Sequence, residues 1–236
     1  MEGFSYVDIF DTKGIEYLIV IGFLLLVIPV WIVLNKPVKA GILLQRSAEG
    51  LAAALHKIPK GLFFEKNHTW AYMERSGAAK IGVDELLLHM TGGVSVDFLK
   101  NAGDEVKRGE IVANIVQGDK KLSISSPISG EVKKVNALLE KGEGEINKDP
   151  YGKGWVSLIQ PADWKSESDR FLLGAEAEKW SGEEISRCKD FLAEAVAEQG
   201  MADAYTVLQE GGVIADFPLS GMDSEVWKKF QQEFLD

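Results

Sequence analysis

The chain has 236 residues, 46% of them hydrophobic and 26% charged, which is enough apolar content for at least one real core in one or two domains. A formal net charge of −10 argues against nonspecific nucleic-acid binding through a basic surface. The lone Cys188 excludes an intramolecular disulfide and any multi-cysteine metal cluster.

Residues 1–16 are acidic, with Glu2, Asp8, Asp11 and Glu16 against Lys13 alone. Residues 17–34 then read YLIVIGFLLLVIPVWIVL, an 18-residue run with no charged side chain. At 1.5 Å per residue it covers about 27 Å, close to the hydrocarbon thickness of a bilayer. Tyr17 and Trp31 stand near its ends, where amphipathic rings prefer the interface, and Gly22 and Pro29 are tolerable in such a helix. The acidic leader and the following NKPVKAG do not suit a cleaved signal peptide. The expectation is a single transmembrane helix over 17–34 in contact with lipid.

Residues 35–57 form a basic juxtamembrane linker. Across 35–60, Lys36, Lys39, Arg46, Lys57 and Lys60 face Glu49 alone. The positive-inside rule then predicts an inner (cytoplasmic) membrane protein, with residues 1–16 outside and the carboxyl-terminal domain in the cytoplasm. Apolar Ile42, Leu43, Leu51 and Leu55 are spaced for a helix that lies on the membrane surface or is a plain linker.

Residues 58–163 change character. Glycines recur between short apolar runs: GAAKIGV, GVSVDFL, GEIVANIV, KLSISS, GEVKKV and GWVSLI. Several of these runs alternate or are rich in Val and Ile, the signature of strands, with one short helix at 85–90 between them. Many short strands with glycine turns predict a mainly β domain, a sandwich or flattened barrel. GEIVANIV and KLSISS flank a polar turn with Gly118 and Asp119, a hairpin, and SPISG at 126–130 is a second turn.

No P-loop, dinucleotide fingerprint, nucleophile elbow or paired-carboxylate motif occurs. His56, His68 and His89 lack metal-ligand spacing and a nearby cysteine, so no metal site and no catalytic residue is predicted. His68 reads as part of a packed His-x-Trp corner with Trp70.

At these residues the domain resembles the glycine cleavage system H protein, a relative of the lipoyl and biotinyl carrier domains. IPKGLFFEKNHTW at 58–70 is similar to the family's opening, and KIGVDELLLHMTGGVSVDFLKNAGDEVKRGE to the strand, helix and strand that follow. SPISGEVKKVN and INKDPYGKGW match its carboxyl half. The resemblance implies a barrel-sandwich hybrid fold and a noncatalytic carrier. In that family lipoate is joined to a lysine at the hairpin tip, in a pattern like E-S-V-K-A, and the arm carries an aminomethyl group between enzymes.

This chain departs from the pattern at the acceptor. The family sets seven residues between the lysine and the proline of its Ser-Pro turn; counting back from Pro127 gives Asp119, and counting forward from Gly109 gives Asp119 again. Lys120 comes one place late and is followed by Lys121. A one-residue shift in a strand turns a side chain to the opposite face. The expectation is a domain without lipoate, with Lys120 and Lys121 as solvated charges. The alternative is a carrier with lipoate on Lys120, shuttling an aminomethyl or acyl group between partner enzymes.

The tail at 164–236 carries 16 acidic and 7 basic residues from 165 onward. Ser181 and Glu184 make a capping box ahead of Ile185, Cys188, Leu192 and Val196, which predicts a helix stopped near Gly200. A second helix is read at 201–209. Asp223 or Ser224 caps a last helix with Val226, Trp227, Phe230 and Phe234 in one stripe, which either packs on the barrel or docks a partner. Taken together, the sequence predicts a membrane-tethered, noncatalytic adaptor or accessory subunit of a larger complex. Protein partners are expected; no nucleic acid or small-molecule substrate is implied.

Overall fold

The structure is a computed structural model that describes residues 9–34, 58–142, 144–198 and 216–236. It divides into two units, Met1–Leu43 and Leu44–Asp236. In the first, helix α1 spans Ile9–Leu34 with Pro29 inside it. Among the described residues, no helix is long and apolar enough to cross a membrane. This corrects the expectation of a single-pass inner-membrane protein with a cytoplasmic carboxyl-terminal domain. The linker at 35–57 lies outside the described residues.

The second unit holds two antiparallel sheets among its described residues. One has six strands in the order β1-β2-β3-β9-β8-β5 and the other three in the order β4-β6-β7. Their ranges are β1 Phe63–Glu65, β2 Thr69–Met73, β3 Ala79–Val83, β4 Ser95–Phe98, β5 Glu105–Val106, β6 Ile111–Gln117, β7 Lys120–Ser125, β8 Gly130–Val135 and β9 Ser157–Pro161. The six apolar runs read from the sequence all contain strands. Strands β1, β2 and β5 were not predicted; β1 and β5 are too short to display a period of two.

Helix α2, Glu85–Thr91, follows β3 as expected and starts on Asp84, whose carboxylate accepts from the Leu87 amide at 2.8 Å. Its leucines leave water in a buried cluster that Ala113, Ile115, Leu122 and Ile124 of the three-stranded sheet also enter. Two single-turn helices, α3 Glu145–Lys148 and α4 Trp164–Ser168, precede the long α5, Ala175–Glu198, and the last helix α6, Ser224–Phe234.

The small sheet has a core on each face, as a period of two requires. Val112 joins Ile81, Ile128, Val132 and Ile159 in the core shared with the larger sheet. Ala113, Ile115, Leu122 and Ile124 join the larger core, which includes Leu87 of α2, Leu192 of α5 and Trp227 and Phe230 of α6. The tail therefore packs into the chain's own interior. Val226, Trp227, Phe230 and Phe234 are all buried, and Cys188 is a small buried residue with burial pushing its thiol up.

The capping-box reading is corrected. Helix α5 starts at Ala175, six residues before Ser181, and Ser181 is a buried residue of its interior. The apolar stripe begins earlier, at Ala177 and Trp180, so the chain has already entered the helix when it reaches the serine. The helix predicted at 201–209 lies outside the described residues.

Candidate functional site

The β6–β7 hairpin has the geometry that its sequence demands. Gln117 pairs with Lys120, which leaves Gly118 and Asp119 as a two-residue turn. Gly118 takes φ +62°, and Asp119 is not among the residues with positive φ. That is the type II′ pattern, in which glycine at the first central position supplies a backbone that other residues resist.

Asp119 and Lys121 are exposed, whereas Lys120 is half-buried. The first strand residue turns its side chain off the tip. Lys120 Nζ donates to the carbonyl of Ser220 at 2.7 Å and to that of Met222 at 3.1 Å, and it lies 5.2 Å from the centroid of the Trp227 ring. Gln117 anchors the other side of the turn, its amide donating to the carbonyls of Thr91 and Gly93 at 2.9 and 3.0 Å. Farther along β7, the Gln231 side chain bonds both backbone groups of Ser123.

His68 and Asp84 form the second notable pair. His68 Nδ1 lies 2.8 Å from Asp84 Oδ2, both residues are buried, and the imidazole rests against Trp180 and Phe234. Trp70 completes the corner. Its indole donates to the Val83 carbonyl at 3.0 Å and lies against Gly82, where an added Cβ would stand 2.4 Å from the ring. The His-x-Trp motif thus builds a packed corner, as read from the sequence.

Burial works against the imidazolium of His68, but the Asp84 carboxylate outweighs it, Glu184 adds to that effect, Arg187 opposes it, and the pKa is raised from 6.5. A group whose folded pKa is raised adds stability that is full below its unfolded pKa and is lost as pH rises through the folded pKa. The protein is therefore expected to be less stable at a pH above the ordinary histidine value of 6.5 than at a pH below it. His68→Asn should flatten that slope; asparagine is the substitute because His68 has φ 60°, which asparagine tolerates. Denaturant midpoints at the two pH values check this, and equal slopes would sink it.

Among the described residues no group of three His, Cys, Asp or Glu side chains suits a metal ion. His56 lies outside them. The partners of Lys120 were missed from the sequence because Ser220 and Met222 are 100 and 102 positions away. Trp227 lies farther still along the chain, so its contact with Lys120 was equally out of reach.

The sequence profile of the glycine cleavage H-protein matches residues 62–184. A probable glycine cleavage system H protein of Pyrococcus abyssi is 30% identical over 126 residues, which cover 53% of this chain and 91% of the relative. The glycine cleavage system H protein of Thermus thermophilus is 35% identical over 106 residues, 45% of this chain and 82% of that one. The crystal structure of an H protein from Mycobacterium marinum is 23% identical, covers 54% of this chain and 98% of that one, and superposes with a TM-score of 0.44.

Proposed function

Because this chain belongs to the glycine cleavage H-protein family, we propose that it is a member without lipoate that serves as a noncatalytic adaptor or accessory subunit of a larger protein assembly. One observation carries this reading: the tip of the carrier hairpin presents the carboxylate of Asp119. Lipoate is attached through an amide to an amine, and a carboxylate supplies none.

The neighbouring lysines do not make up for it. Lys120 belongs to the strand and spends its ammonium on two carbonyls of the tail. Lys121 is one strand position farther from the tip, on the opposite face of the sheet. The residues present therefore do not suit attachment of the group that the family carries. What is left of a carrier without its arm is the set of surfaces by which partner proteins recognise the domain. Protein docking is the function those surfaces can still perform.

The test is the intact mass of protein purified from its native cells, with peptide mapping across 110–130. The expected result is an unmodified Lys120 in cells whose other lipoyl proteins are loaded. A lipoyl-sized increment on Lys120 would replace this reading with that of a carrier passing an aminomethyl or acyl group between enzymes.

A further inference from the structure

The bonds of Lys120 have a second consequence, which does not depend on what stands at position 119. Its ammonium lies at the carboxyl end of a single 3-10 turn, Pro218–Gly221. That turn is itself fixed: the Met222 amide donates to the Leu219 carbonyl at 3.1 Å, and the Trp227 indole donates to the same carbonyl at 2.8 Å. The carbonyls of Ser220 and Met222 are left for Lys120. A cation is at home there, because the last carbonyls of a helical turn lack backbone partners and form its negative end. The face of Trp227 adds an attraction to the same charge.

The segment held in this way is not loosely laid on the domain. Asp223 caps α6 by accepting from the amides of Glu225 and Val226 at 3.1 and 3.0 Å. Val226, Trp227, Phe230 and Phe234 then enter the core shared with Ile115 and Leu122 of the hairpin. Gln231 bonds Ser123 of β7 three residues along from Lys120. The hairpin is thus fastened to 216–236 at its tip, along its strand and through its buried face.

We infer that Lys120 is an internal latch: its amine holds the carboxyl-terminal segment across the β6–β7 hairpin, and this makes the lysine a slower acceptor of acyl groups than its exposed neighbour Lys121. This goes beyond the adaptor reading, since it concerns the availability of one amine and not the role of the whole protein. It also separates two adjacent lysines that the sequence makes equivalent.

Acylation of the full-length recombinant protein by a water-soluble amine-reactive ester, followed over time by peptide mapping, compares the two within one molecule. Lys121 should react as an exposed lysine does. Lys120 should react about tenfold more slowly, because its charge-assisted hydrogen bonds must open before the amine is free. In denaturant the two rates should converge. Lys120→Met should speed hydrogen exchange at the amides of 218–235, whereas Lys121→Met should not. Equal acylation of both lysines in the folded protein would overturn the latch, as would unchanged exchange in Lys120→Met. Both measurements use unmodified recombinant protein. A lipoyl group on Lys120 of the native protein would sink both the adaptor reading and the latch, whereas equal acylation rates with Lys120 bare in the native protein would sink the latch alone.

Discussion

Asp119→Lys should give the hairpin tip an amine that a lipoate ligase modifies. Asp119 is exposed at the second central position of the turn, and its own φ is not positive, so a lysine fits there without backbone strain. Its amine would project from the tip with no tail carbonyl in the path that Lys120 follows. Recombinant wild type and variant are incubated with a lipoate ligase, lipoate and ATP, then mapped across 110–130. The variant should carry the group at position 119, and the wild type should carry none on Lys120 or Lys121. Should the single variant stay bare, Val116→Glu added to it restores the acidic residue that the family sets three places before its lysine. Val116 pairs with Lys121 across the ladder, so the new carboxylate meets an opposite charge. Modification of the wild type on Lys120 at the rate of the variant would refute both the shifted register and the latch.

Phe230→Ala should cost about 3–5 kcal/mol, the usual range for emptying a buried phenylalanine site. Phe230 is fully buried, stacked on Phe234 with ring centroids 4.5 Å apart and edge-on to Phe191 of α5 at 5.5 Å. Three aromatic rings from two helices meet there, and the same cluster holds Ile115 and Leu122 of the hairpin. Removing one of the three rings leaves a cavity in that cluster. Against a domain stability of about 5–15 kcal/mol this is a large share. Denaturant unfolding measures it, with Gln231→Ala as a milder comparison worth about 1 kcal/mol for its hydrogen bonds. A loss under about 1 kcal/mol for Phe230→Ala would mean that the tail is not part of the core.

The sequence carried what is local. Alternation and glycine spacing located six strands, the Gly118–Asp119 dipeptide located the hairpin tip, and the stripe Val226, Trp227, Phe230 and Phe234 located the apolar face of the last helix but left open whether it packs on the barrel or docks a partner; it is buried. His68 and Trp70 could be read as a corner because the motif is short and its partners Val83 and Asp84 follow within one hairpin. The failures have physical causes too. Ser181 and Glu184 satisfy the capping-box pattern, yet a serine and a glutamate three apart occur equally well within a helix. Only the upstream Ala177 and Trp180 mark the true start of the apolar stripe. The environment of Lys120 was illegible because it is made by backbone carbonyls, which have no sequence of their own. What a lysine does depends here on where a distant turn ends.

Gln231 has a consequence beyond stability. It meets the N–H and the C=O of Ser123 that point away from β6, on the outer strand of the three-stranded sheet. Those are groups that another polypeptide would use to extend the sheet, whether a client peptide or a neighbouring copy in an aggregate. A side-chain amide imitates one residue of a further strand and then ends the row, since a helix continues from it and not a strand. Growth of the sheet is blocked on that border, and a protein that binds here must recognise side chains instead of adding a strand at Ser123.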